Sequence, residues 1–196
     1  LHHPRRRSVG LASFGADLAW ELSEEARNYF VADGGVLRNE TRAKKRWRAS
    51  DGGGMWAYGA HGGLVGRGYN LGIVDDPIDP DDVESVIAAR RFRAWWPGKF
   101  LSRREPDHAL IFVMQRLGTT DPVDFLLRRE VGEDTEAAPL GWHVVVCDEI
   151  KSDEPLGRWK GPAGLPPTCT IEPDPRNVGE VLAPSRFDAE AVASLQ

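Results

Sequence analysis

Only two cysteines, Cys147 and Cys169, occur in 196 residues, with no CxxC pair and no histidine at ligand spacing. Neither a disulfide framework nor a zinc module is encoded, and the usage fits a reducing compartment. Long apolar runs are also missing: stretches such as Ala109–Met114 and Val144–Cys147 fall far short of the roughly 20 residues that cross a bilayer. Three arginines stand in the first ten residues without an apolar stretch behind them, so a secretory signal is not expected. The histidines His2, His3, His61, His108 and His143 show no HxxxH or HxH spacing, and none is assigned to metal or acid–base work. There is no internal repeat. What remains, 41% hydrophobic with 21 Gly and 7 Trp, is the composition of an ordinary folded protein large enough to bury a core without staples.

The net charge of -5 is unevenly spread. Residues 1–129 carry 20 Lys/Arg against 17 Asp/Glu, and residues 130–196 carry 5 against 13. Basic clusters at Arg38, Arg42, Lys44, Lys45, Arg46 and Arg48, and at Arg90, Arg91, Arg93, Lys99, Arg103 and Arg104, are candidates for phosphate contacts to a polyanion. The ordinary reading of such runs is a solvated face, and no individual DNA-contacting residue stands out.

Ser8–Phe14 has the composition of a buried strand, and Ala16–Phe30 repeats apolar residues at helical spacing until Gly34-Gly35. A polar, basic connection follows, and Trp47–Ser50 with Met55–Gly59 reads as a hairpin around Asp51–Gly54. Tyr69–Val74 has the pattern of a central parallel strand. Asp79 as N-cap and Pro80 at the first position predict a helix to Trp96, stopped by Pro97-Gly98. Ala109–Gln115 reads as a second central strand, Asp121–Arg129 as a helix, and Trp142–Cys147 as a third buried strand. Seven prolines between Asp153 and Pro184 predict an irregular excursion, and Ser185–Gln196 reads as the start of a helix. Strands alternating with helices predict an α/β fold with a mostly parallel sheet.

The chemistry concentrates where an apolar strand delivers two adjacent carboxylates, Leu71-Gly72-Ile73-Val74-Asp75-Asp76. In open α/β sheets ligands bind outside the carboxyl ends of the strands. In P-loop NTPases the first acid of such a pair holds Mg²⁺ while a neighbouring group orients the attacking water. The competing reading is a strand running into an acidic, proline-bearing turn. No P-loop accompanies it: Gly63-x-x-x-x-Gly68 is followed by Tyr69-Asn70 where Lys-[Ser/Thr] is required. Arg67, between Gly66 and Gly68, is a candidate cation for a phosphate, or a simple loop arginine. Gln115-Arg116, at the tip of the next strand, is where nucleotide state can be sensed, or a polar cap.

Taken in order, these segments resemble the ATPase region of phage terminase large subunits, the DNA-packaging motors of tailed bacteriophages. Val9–Gly15 with Leu18-Ala19 and Arg27-Asn28 is similar to the family's "ASY...LA...S...RN" stretch, and Gly62–Gly68 to its "GG..TGRG" turn. Ile73–Ile78 resembles the Walker B "IIDDPI". Ser85 with Trp95, Leu101 and Arg103 is similar to "S...R....W....L.TR", Ile111–Arg116 with Asp121 to "IIIMTRW..DD", and Leu182–Pro184 with Arg186-Phe187 to "LWPERF".

The resemblance implies a P-loop NTPase-like fold of the RecA/ASCE type, incomplete at its N-terminus. Residues 1–150 would form a partial ATPase domain and 151–196 a linker toward a nuclease domain. It implies Asp75 as Mg²⁺ ligand, Asp76 as the acid that activates water, Arg67 as an arginine finger acting in trans, and Gln115 with Arg116 in the coupling motif. Its cofactors would be ATP and Mg²⁺. Its partners would be double-stranded DNA, the portal protein, the small terminase subunit and further copies in a ring when full length, with no membrane. The location would be the host bacterial cytoplasm, transiently docked on the procapsid. Gln115 replaces the usual Thr, Leu117 the Trp, and Gly118-Thr119-Thr120 the "HED". The Walker A lysine is expected upstream of Leu1 and the nuclease beyond Gln196, so the isolated chain should bind nucleotide poorly. The alternatives are a non-catalytic prophage remnant acting as a DNA- or partner-binding module, and another RecA-like ATPase such as a helicase.

Overall fold

The computed structural model describes residues 7–60, 62, 66–118, 120–132, 137–153 and 165–185. It divides into two compact units, Leu1–Leu117 and Gly118–Gln196, a boundary inside the span 1–150 expected as one domain. Residues 186–196 of the helix expected over Ser185–Gln196, with Arg186-Phe187 among them, and residues 63–65 of the Gly62–Gly68 turn lie outside the described residues.

The first unit is α/β. Its strands are β1 (Ser8–Ser13), β2 (Leu37–Ala43), β3 (Arg46–Ala49), β4 (Gly54–Gly59), β5 (Tyr69–Asp75) and β6 (Arg104–Val113), with helices α1 (Ala16–Ala32) and α2 (Val86–Trp95). They form one mostly parallel sheet in the order β2-β3-β4-β1-β5-β6. β1 lies between β4 and β5, parallel to both, β6 is parallel to β5, and β2 and β3 complete an antiparallel edge. On one face α1 lays Ala19, Leu22, Ala26 and Phe30 over Leu11, Met55, Ala57 and Trp47. The indole N–H groups find partners: Trp47 donates to the Ser23 carbonyl at 3.1 Å and Trp20 to the Ala57 carbonyl at 3.2 Å.

The opposite face of β5 and β6 carries an aromatic cluster. Trp96 and Phe100 stack with centroids 5.3 Å apart, Phe92 and Trp96 meet Phe112 edge-on, and the Tyr69 hydroxyl donates to the Phe100 carbonyl at 3.0 Å. Small residues beneath make the ring's seat. A Cβ on Gly72 would stand 2.6 Å from the Tyr69 ring and 3.0 Å from Phe100, and one on Gly10 would stand 2.9 Å from Tyr69.

Several expectations are corrected. The helix from Pro80 to Trp96 is interrupted: Asp79 caps only a short 3₁₀ turn, Pro80–Asp82, and α2 starts after Ser85, whose hydroxyl accepts from the Ala88 N–H at 3.2 Å. A second capping side chain six residues on draws the backbone out into an extended conformation. Pro97-Gly98 does not stop the chain either. A π-turn over Trp96–Phe100 continues it and brings both fully buried rings into the cluster, Phe100 against Tyr69 and Trp96 against Phe112. The basic connection after α1 is strand β2, an edge strand whose alternation is hidden because most of it faces solvent. The Ala109–Gln115 segment is not central: β6 starts at Arg104, ends at Val113, and forms the sheet's other edge among the described residues.

The second unit holds α3 (Pro122–Glu130) and a two-stranded parallel sheet of β7 (His143–Val144) and β8 (Thr170–Ile171). Asp121 caps α3, accepting from the Asp124 N–H at 3.0 Å, as its residue type predicts. The buried strand expected over Trp142–Cys147 shrinks to two paired residues. Trp142 and Val144 pack on Leu127 and Cys169, while Val145 is 62% exposed. Glu130, buried, accepts from the Leu140 and Gly141 N–H groups and the Thr168 hydroxyl at 2.8–3.0 Å and ties three segments together. Among the described residues, no helix is long and apolar enough to cross a membrane.

Candidate functional site at the carboxyl end of the sheet

β5 runs between two parallel neighbours, so its last residue arrives level with the ends of both: Asp75 pairs in register with Ser13 of β1 and Val113 of β6. Strand alternation puts these three side chains on the α1 face. Asp75 is half-buried and makes no ion pair among the described residues. Burial, and then the negative charge of Asp76, push its carboxyl above the ordinary range. A carboxyl in that state suits a counter-charge brought by a ligand.

Asp76 closes the strand ends into one knot. Its N–H donates to the Val113 carbonyl at 3.0 Å, its carbonyl accepts from the Phe14 N–H at 3.0 Å, and its Oδ1 accepts from the Gln115 N–H at 3.2 Å. To make all three bonds it adopts φ 38°, the only positive φ outside glycine among the described residues. Aspartate tolerates that region better than most residues, yet the following Pro77 makes it an unusual place for it. Backbone in this state persists only where surrounding bonds over-determine it, and such positions cluster at functional sites.

Asp75, Asp76 and Gln115 are therefore brought together, with Gln115 exposed just past β6 and Arg116 half-buried beside it. Arg67 is not brought to them. Its guanidinium lies 5.5 Å from the centroid of the Trp56 ring, and Trp56 stands level with Gly10 and Gly72. That is three residues, about 10 Å, short of Asp75 along the strands. Alternation also places Trp56 on the sheet face opposite to Asp75.

Sequence reasoning overlooked Ser13. Fully buried beside Asp75, its hydroxyl has no partner among the described residues, and buried hydroxyls are rarely left so. The only signal was a polar residue at the tip of an apolar strand. The left-handed backbone at Asp76 gave no signal, since it follows from bonds to residues 37 and 62 positions away.

No group of three or more His, Cys, Asp or Glu among the described residues is disposed to hold a metal ion. The Asp75-Asp76 pair offers hard oxygen donors, which suits Mg²⁺, an ion held by one or two carboxylates with phosphate and water completing its shell. The triphosphate has no such fit, because the chain has no glycine-rich cradle with its lysine. Comparison with protein-family models gives no match, and comparison with curated proteins gives none either.

Proposed function

We propose that this chain is the Walker B and coupling part of an ATP-driven, double-stranded-DNA packaging motor of the phage terminase large-subunit type, on a RecA-like fold. The observation that carries the reading is the knot at Asp76: the second acid of the pair is hydrogen-bonded to the first residue of the candidate coupling segment, Gln115. A change at the carboxylates is thereby felt at Gln115, directly after β6.

In this reading Asp75 holds Mg²⁺, which when bound neutralises charge on the phosphates. Asp76, exposed, orients water and accepts its proton, while its bond to Gln115 fixes where the carboxylate points. Ser13 supplies a hydroxyl beside Asp75. Arg67, held over Trp56 on the opposite face, takes no part in this copy's acid pair. The phosphate loop must come from polypeptide outside these residues, and the sheet has room for it. The outer edge of β6 is open among the described residues, and Ile111 and Val113 are 47% and 51% exposed there. A loop carried on a further parallel strand would end beside Val113 and Asp75.

The test is Mg²⁺-dependent ATP hydrolysis, with and without duplex DNA, by the protein that carries this sequence. Asp75→Ala and Asp76→Ala should each lower turnover about 100-fold or more. Unchanged turnover in both variants overturns the reading.

A further inference from the structure

Register and alternation place Arg46 and Arg48 of β3 on the same sheet face as Trp56 and Tyr58 of β4, away from α1. Trp47 and Ala57, between them in sequence, belong to the core under α1. Arg46 is directly opposite Trp56 and Arg48 opposite Gly54, and Arg67 covers the Trp56 ring. Three arginines thus surround one tryptophan. None of them makes an ion pair or a side-chain hydrogen bond among the described residues, and four polar atoms here are buried without a partner: Arg46 Nε, Arg48 Nε, Trp56 Nε1 and the Tyr58 hydroxyl. All four can donate. Buried donors normally find acceptors, and a face that gathers cations and unmatched donors together calls for an acceptor-rich anion.

We infer that this face is a binding site for the phosphate backbone of a nucleic acid, with Arg46, Arg48 and Arg67 as its phosphate contacts and Trp56 as the rigid platform that orients them. Guanidinium forks match phosphate oxygens in a way that lysines do not. Arg46 and Arg48, two residues apart on one strand, lie about 6.6 Å from each other along β3, a spacing suited to successive phosphates of one strand. The exposed Arg38 and Lys45 of the same ribbon extend the positive surface beyond the site, while Lys44 is paired with Glu24 of α1. A polymeric ligand is favoured over a small one because Arg46 and Arg48 follow one another along β3 and further cations continue along the same ribbon. The motor reading gains from such a site, since a motor must grip its polyanion, but the inference stands on these residues alone. ATP hydrolysis tests the former and duplex binding the latter, so either can fail while the other holds.

The experiment is fluorescence anisotropy of a labelled DNA duplex with the 196-residue chain across a salt series. Arg46→Gln/Arg48→Gln should weaken binding about 10-fold or more and flatten the log–log salt slope by about two, and Arg67→Gln should flatten it by about one. The conservative pair Arg46→Lys/Arg48→Lys should restore the slope and part of the affinity, which a folding defect would not allow. Arg90→Gln/Arg91→Gln, which removes the same charge from exposed α2, should cost less than the β3 pair. The inference is overturned if the α2 pair costs as much, or if the unsubstituted chain does not bind at low salt. It is also overturned if inorganic phosphate or polyglutamate displaces the duplex as effectively as unlabelled DNA does.

Discussion

In the second unit Asp174 lies between Lys151 and Arg176, 3.7 and 2.7 Å away, and Arg176 also donates to the carbonyls of Asp148 and Glu180. Hydrogen bonds from Arg176 hold the Asp174 carboxyl down at about 2. In the first unit, among the described residues, Asp75 has a raised carboxyl and no cation, while Arg46, Arg48 and Arg67 have no carboxylate. The same residue types do different work. Charges that close on each other locally hold a proline-rich segment in shape, whereas charges left open at a sheet end or on a sheet face are available to something that is not part of the chain.

The largest test of that contrast removes the open acids: ATP turnover in the protein carrying this sequence should fall about 100-fold or more in Asp75→Ala or Asp76→Ala, while Asp174→Ala should leave it within about 3-fold. The next closes the open site from within. Val113, exposed and level with Asp75, can be changed to Lys. The new ammonium should return the Asp75 carboxyl to its ordinary range or below and lower Mg²⁺-dependent turnover about 10-fold. NMR titration of Asp75 and a Mg²⁺ dependence measure the two effects, and an unmoved carboxyl breaks the comparison.

A smaller effect concerns the backbone at Asp76. Both Asp76→Ala and Asp76→Gly lose the bond to Gln115, but only Ala pays the steric cost of φ 38°. The glycine variant should be more stable by about 1 kcal/mol in urea unfolding.

The smallest effects are in pH dependence, and they have opposite signs. The folded Asp174 carboxyl lies below its unfolded value, so its contribution is present above the ordinary carboxylate range and lost as pH falls toward about 2. Asp174→Asn should remove that acid sensitivity. For Asp75 the folded value is raised, so stability falls as pH rises through it. Asp75→Asn should therefore melt slightly higher than the unsubstituted chain near pH 7 and no higher below the carboxylate range. Thermal melts across a pH series read both.

How legible the molecule was in its sequence depended on how local each cause was. β1, α1, the β3–β4 hairpin and α3 follow from nearest-neighbour physics: alternation, helical spacing, a glycine-rich turn, an aspartate cap with proline behind it. The two aspartates at the end of an apolar strand were legible for the same reason. β2 was missed because an edge strand with a solvated face leaves little apolar pattern. Trp142–Cys147 was over-read because an apolar run becomes a strand only where another strand lies beside it, and here just two residues find one.

By itself, then, the sequence determined β1, α1, the β3–β4 hairpin and α3, and that two carboxylates end one strand, because these depend on side chains within a few residues of each other. Only the tertiary structure decided that β6 is an edge, that Asp76 is twisted into a knot with Phe14, Val113 and Gln115, and that Arg67 lies on Trp56 and not beside Asp75. Each of those outcomes depends on strand order and register, which are set by burial across the whole sheet.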